Sequence, residues 1–507
     1  MFLKKWKPSL LTALTLGLAL GAVPAMGASS AGDISIAYGS RVAVQQQKPV
    51  LQGDALTVPA EELAKQLQLK LSPLKEDGTF TLSKTGVFIE MKLGSKEARV
   101  NNQLANLQAA PAKQGDTLYV PLRFVSEASR SLVEWDQARR MAIVSPTYKV
   151  VGYFTSWGKL KASEIDASKL THINYAFANI VDGEVALSSP KDQEEAYPGA
   201  CKGEDCAKFV SDFKELAKLK QANPHLQTLV SVGGWTWSGR FSDAALTEAS
   251  RTKFADSAVR FIRENGFDGV DLDWEYPVTG GLETNVRRPE DRTNFTLLLH
   301  TIREKLEAAG REDGRHYLLT IASGANPNYV RDTELDKVAE AIDFVNIMTY
   351  DLHGSWEPTS NNNAALYYDP ADPDPNAHRF YAEAAVNGHL NAGVPAKKLV
   401  LGIPFYGRSW GGCEAVNNGL YQACKGGDVV DWTEKPEGFQ RYWNDRAKVP
   451  YLYNKQTGQF VSYEDEESIG YRAEFIKEKG LGGAMFWELN GDPDGKLLPR
   501  LAESLDR

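Results

Sequence analysis

Cysteine, methionine and histidine are all scarce in this chain of 507 residues, which holds four Cys, six Met and seven His. With no CxxC pair facing a second pair or a His at metal spacing, a zinc-organised fold is disfavoured and no metal or cofactor is expected. The Cys instead form two local pairs, Cys201 with Cys206 and Cys413 with Cys424, each in a Gly-rich polar stretch. Two local disulfides are expected from that arrangement. Positive charge is not in excess either: the formal net charge is −9, which gives no electrostatic footprint for nucleic acid or an anionic membrane surface. Beyond the N-terminal leader there is no apolar run of the roughly 20 residues that a membrane-spanning helix needs.

What is present is a balanced globular composition, 42% hydrophobic and 24% charged, over a length that suits two or three domains. Residues 1–27 read as a signal peptide. Lys4, Lys5 and Lys7 form a basic start, Ser9 to Val23 is apolar, and small residues near Ala25, Gly27 and Ala28 suit cleavage. A secreted, extracellular protein is expected, with no membrane association.

A boundary falls near Ser145, Pro146 and Thr147. Residues 33–145 alternate short strand-like runs with two helical stretches, entered through the related phrases LTVPAEELAKQL (from Leu56) and LYVPLRFVSEAS (from Leu118). A small duplicated α+β domain is expected, with Pro59 and Pro121 in first helical turns. From residue 149 to 507, strand-length apolar runs alternate with amphipathic helical patterns. The runs are VVGYFT (150–155), HINYAFA (172–178), TLVSVGG (228–234), GVDLDWE (269–275), YLLTIAS (317–323), FVNIMTY (344–350), LVLGIPF (399–405) and GGAMFWEL (482–489). The pattern predicts a (β/α)8 TIM barrel, with an open doubly wound sheet as the alternative. Helices over 209–221, 251–264 and 293–309 are expected between runs, the last two stopping at Gly266 and Gly310. Residues 406–466 read as an inserted α+β subdomain between the seventh and eighth strands.

The fourth run, within DGVDLDWEYP, places Asp271, Asp273 and Glu275 on one strand face, about 6.8 Å apart along the strand. In a barrel that face is the packed interior, opening at the C-terminal rim. Three carboxylates there cannot all ionise cheaply, so at least one holds a proton near neutrality and can act as a general acid. Glu275 stands nearest the rim. Divalent-cation binding and a purely structural hydrogen-bonded network are the competing readings.

Of the 11 Trp, nine follow the boundary. Trp157, Trp235, Trp237, Trp356, Trp410, Trp432, Trp443 and Trp487 fall beyond strand ends or in the insertion, while Trp274 points away from its acidic neighbours toward the core. Several Trp at one rim suggest a floor for sugar rings, whose apolar faces stack on flat side chains. An acid beside such a groove points to glycoside hydrolysis. Asp273 sits on the acid's own side and is poorly placed as a nucleophile, so an acetamido oxygen carried by the substrate is the suggested alternative, although other strands bring acids such as Asp351.

At these residues the chain resembles glycoside hydrolase family 18, the chitinases. DGVDLDWEYP matches the family's DGxDxDxE signature, SVGGW (Ser231 to Trp235) its SxGG motif and MTYD (Met348 to Asp351) its sixth-strand motif; FYGR (Phe405 to Arg408) and GGAMFWEL (Gly482 to Leu489) also agree. The resemblance implies hydrolysis of chitin and chitooligosaccharides by a retaining, substrate-assisted mechanism without a cofactor. It implies Glu275 as general acid/base, Asp273 switching between Asp271 and Glu275, Tyr350 and Asp351 on the N-acetyl group, and Trp487 as the floor. Met348, Trp235, Trp356, Tyr153, Phe177, Tyr406 and Arg408 complete the candidate substrate-binding set. A catalytically inactive chitin-binding lectin and a hydrolase of glycoprotein or peptidoglycan glycans remain as alternatives. The insertion departs from the family in reading Tyr463, Glu464, Asp465, where two Asp usually follow the Tyr. The front part resembles the N-terminal domain of copper amine oxidases but has no His, so an imidazole copper site is not expected. A binding or spacer role, with the cell wall as candidate partner, and a monomeric state are expected.

Overall fold

In the computed structural model the described residues are 34–505, except 40, 44–46, 137–139, 189–198, 202, 224 and 431–435. The expected signal peptide and Trp432 lie outside them.

In the front part, the two related phrases become two strands that pair with each other. Ala55–Pro59 runs antiparallel to Thr117–Pro121, with Tyr119 opposite Pro59 and Pro121 opposite Thr57. Each strand feeds a short helix, Ala60–Gln66 and Leu122–Ala128. Both prolines stand one position earlier than expected, at the N-cap rather than in the first turn. The proline ring still fits there, because the position is extended and its N–H takes no part in the helix. A five-stranded antiparallel sheet over residues 70–106 packs Phe80, Leu82 and Ile89 against Leu63, Val120 and Val125 in one core.

The second part closes on itself. Lys149–Thr155 pairs in parallel with both His172–Val181 and Gly483–Trp487, which excludes the open-sheet alternative. Gln227–Gly233, Gly269–Asp273, Leu318–Gly324, Phe344–Met348 and Leu399–Pro404 complete a parallel (β/α)8 barrel in chain order. Helices Ala207–Ala222 and Glu248–Asn265 cover it, the second ending on left-handed Gly266 (φ 73°). Asp291–Asp313, however, passes through Gly310 and stops at Gly314 (φ 64°). Gly310 serves close approach instead: a Cβ there would lie 2.3 Å from the Arg315 carbonyl oxygen as the chain turns back.

Between the seventh and eighth strands, Gly407–Trp410, Val429–Val430, Gln440–Asn444, Val449–Asn454 and Gln459–Ser462 form an antiparallel sheet, followed by helix Glu466–Lys479. Its core holds Trp410, Tyr451, Tyr453 and Phe460. The unusual Glu464 is buried in an ion pair with the fully buried Arg472, while Asp465 caps the helix. Both disulfides are formed, Cys201–Cys206 and Cys413–Cys424. Among the described residues no helix is long and apolar enough to cross a membrane.

Candidate active site

The fourth barrel strand carries its acids as alternation predicts, into the barrel axis. Asp271 is fully buried. Its Oδ2 accepts hydrogen bonds from Tyr153 Oη and Ser231 Oγ, each at 2.8 Å, and its Oδ1 from Thr320 Oγ1 at 2.5 Å and, more weakly, Asn346 Nδ2 at 3.5 Å. Burial raises its pKa above the usual carboxylate value, and these donors oppose the rise. Asp273, one pleat nearer the rim, is buried with Oδ1 unpartnered. Burial first, then the charges of Glu275 and Asp271, push its carboxyl well up. Glu275 lies two residues past the strand's end and is pushed up to about 7, first by burial; a hydrogen bond from Tyr276 opposes and the Asp351 charge adds to the rise. All three carboxyls are thus shifted toward holding a proton, and Glu275, facing the groove, can carry one near neutrality.

That groove has a volume of about 850 Å³ and is lined by Tyr153, Trp157, Phe177, Trp235, Met348, Tyr350, Asp351, Trp356, Tyr406, Arg408 and Trp487 around Asp273 and Glu275. Trp487 is stacked on Phe177, with ring centres 5.5 Å apart and an interplanar angle of 15°, and is flanked by Tyr153 at 5.6 Å and Trp157 at 6.5 Å. Elsewhere in the lining, Asp351 Oδ1 accepts from Tyr406 Oη at 2.7 Å and pairs with the Arg408 guanidinium at 2.6 Å, whose carbon lies 4.8 Å from the centre of the Trp356 ring. Tyr350 is buried, edge-on to Tyr406. The SxGG motif has a steric basis. Gly233 has φ 105° and Gly234 φ 79°; a Cβ on the first would lie 2.4 Å from the Asp273 carbonyl oxygen and on the second 2.6 Å from the Phe177 ring.

Every expected substrate-binding side chain reaches this groove, but not every rim tryptophan does. Trp157, Trp235, Trp356 and Trp487 line it with exposed or half-exposed faces, and Trp237 lines it from a buried position. Trp410 is core to the insertion sheet, and Trp443 packs on Tyr471 beneath Arg441. Trp410 points into that core, and Trp443 is half-buried against the helix Glu466–Lys479, so a place in the insertion put neither in the groove. Trp274 stacks on Phe241 in the core as expected. Missed in the sequence were Tyr276 and Thr236 in the lining, and Ser231, Thr320 and Asn346 as donors to Asp271. The last three had a readable signal: each is a polar residue between apolar neighbours inside a strand run, where burial requires a partner.

Residues 37–144 match the copper amine oxidase N-terminal domain. That stretch contains neither His nor Cys, so its donor set does not suit copper. Chitinase A1 of Niallia circulans is 48% identical over 417 residues, covering 72% of this chain and 59% of that protein, so the chain spans about three-fifths of this relative's length. Among solved structures, chitinase ChiA74 from Bacillus thuringiensis is 46% identical with a TM-score of 0.65, over 71% of this chain and 69% of that one. Chitinase ChiW from Paenibacillus sp. str. FPU-7 is 31% identical with a TM-score of 0.65 and covers 95% of this chain, though only 43% of its own. Residues 149–492, which carry the barrel strands and the carboxylate cluster, match the glycosyl hydrolases of family 18, and the chain belongs to that family.

Proposed function

We propose that this protein is a secreted chitinase that cleaves β-1,4 bonds between N-acetylglucosamine units with retention of configuration, using Glu275 as general acid/base. The observation that carries the reading is a carboxyl pushed up to about 7 at the centre of an aromatic-lined groove. Protonated Glu275 donates its proton to the glycosidic oxygen as the bond to the anomeric carbon breaks. Retention requires a nucleophile on the other face of the sugar. The groove's remaining acids do not suit that role: Asp273 ends the strand that leads directly into Glu275, and Asp351 is held by Arg408 and Tyr406.

The substrate's acetamido oxygen fills the place. It attacks the anomeric carbon as the leaving sugar departs with the proton, forming an oxazolinium ion. Asp273, whose Oδ1 has no partner, turns from Asp271 toward Glu275 and accepts the acetamido N–H, with Tyr350 and Asp351 orienting the group. Glu275, now a carboxylate, takes a proton from water, which adds to the anomeric carbon and reopens the ring. Trp487 stacks under the sugar at the cleavage point, and Trp157, Trp235 and Trp356 extend the platform to a long linear polymer.

Export is supported by the two disulfides, which suit an oxidising compartment. ChiW, which covers both parts of this chain, is described as a cell-surface-expressed multi-modular enzyme; that description supports a surface-associated role for the front domain. The test is release of a chromophore from an N-acetylchitobiose glycoside. Glu275→Gln should lower kcat by about 100- to 10,000-fold, and a substrate with a free amine replacing the cleaved residue's acetamide should not turn over. An inactive parent that still binds chitooligosaccharides would instead make the protein a lectin.

A further inference from the structure

The acid carrier stands on backbone that the barrel ladder no longer supports. The fourth strand ends at Asp273, whose last partner on one side is Gly233, and pairing on the other side ends with Leu272 opposite Ile321. Two residues later, at Glu275, the peptide N–H and C=O are buried without strand partners, and a buried unpaired backbone group is costly. Both are taken by side chains from other loops. The Glu275 N–H donates to Ser238 Oγ at 2.8 Å, and the Glu275 carbonyl accepts from Asn285 Nδ2 at 3.0 Å.

Neither partner is incidental. Ser238 is fully buried, and its hydroxyl proton has the Gly234 carbonyl at 2.7 Å and the Asp273 carbonyl at 3.0 Å as acceptors. One hydroxyl thus ties the SxGG loop to the backbone on both sides of Trp274. Asn285 is buried too and reaches Glu275 because the chain folds back through Gly281 (φ 72°), where a Cβ would lie 2.0 Å from the Glu275 oxygen.

We infer that Ser238 and Asn285 are positioning residues that hold the Glu275 carboxyl on the groove side of the barrel by capturing both polar groups of its backbone. Neither lines the groove itself; both act through the backbone of residues that do. The inference rests on the reading of Glu275 as acid/base. With one captured group lost, the peptide turns to satisfy itself elsewhere, and the carboxyl moves relative to the scissile bond. Misplacement by about 1 Å lowers the rate on the order of 100-fold.

The experiment compares the parent, Ser238→Ala, Ser238→Thr, Asn285→Leu and Glu275→Gln on the chromogenic N-acetylchitobiose glycoside, with kcat, KM and the full pH profile. Ser238→Ala and Asn285→Leu should each lower kcat by about 10- to 100-fold with KM changed less than about twofold. Their basic limb should move to lower pH, because a displaced carboxyl gains solvent. Ser238→Thr, which keeps the hydroxyl, should recover most of the lost kcat. Folded variants with parental kcat and parental basic limb overturn the inference, as does a loss expressed wholly in KM. If Ser238→Ala does not fold, Asn285→Leu decides by the same readouts. A Glu275→Gln enzyme as active as the parent would instead remove the acid/base assignment itself, a separate failure.

Discussion

Raising the pH should titrate this enzyme through its own acid. In the proposed mechanism only the protonated Glu275 can protonate the leaving oxygen, and its carboxyl is pushed up to about 7, mainly by burial. At pH 7 about half of the free enzyme is then in the active form, at pH 8 about a tenth and at pH 9 about a hundredth. A solvated glutamate, at the ordinary 4.5, would leave only about 1 part in 300 protonated at pH 7. The apparent midpoint belongs to the coupled Asp271, Asp273 and Glu275 cluster as a whole. The assay is kcat/KM for the chromogenic glycoside from pH 4 to 10, where the basic limb should fall tenfold per pH unit beyond about 7. Stability supplies a second reading of the same group. Below the ordinary value of 4.5 the folded and unfolded chains both hold the proton, so burial of a charge costs nothing. Between that value and about 7 the unfolded chain ionises first and the fold loses stability, by about 3 kcal/mol in all. Glu275→Gln, though inactive, should therefore be more stable than the parent at pH 8 and equal to it at pH 4. A basic limb centred below pH 5, a rate unchanged to pH 9, or a Gln variant less stable at pH 8 would each refute the reasoning.

The insertion and the barrel floor carry their own tests. Arg472→Met leaves the buried Glu464 carboxylate and the Ala364 carbonyl without their donor and should cost about 3–5 kcal/mol in urea unfolding; Arg472→Met with Glu464→Gln should recover most of it. A single variant that unfolds like the parent would show that the pair is dispensable. At the barrel floor, burial works to raise the Asp343 carboxyl, but Arg303 and His316, each at 2.6 Å, and the Leu319 N–H at 2.8 Å hold it far below the usual range. Its contribution is present above the unfolded value of 3.8 and lost as pH falls below it. Asp343→Asn should thus be less stable than the parent at pH 7, with a clearly smaller deficit at pH 2, by thermal unfolding. An equal deficit at both pH values would refute the electrostatic account.

Alternating patterns and local spacing are properties of short segments, so the sequence alone determined a great deal. It placed every barrel strand to within a few residues, the helix end at Gly266, the paired Cys, and Asp271, Asp273 and Glu275 on one face. What it could not determine is where separate segments meet. Trp410 and Trp487 both lie close to strand ends, yet one is sealed in the insertion core and the other floors the groove, because burial depends on what packs above each strand. Gly310 carried a stop signal that the returning chain at Arg315 overrode. The donors to Asp271 come from other strands, and the partners of the Glu275 backbone from two loops, so only closure of the barrel brings them together. The sequence thus put Glu275 at the rim end of the acidic face, while the tertiary structure decided its environment: desolvation and neighbouring charge are sums over contacts distant in the chain, and those sums raise Glu275 toward neutrality.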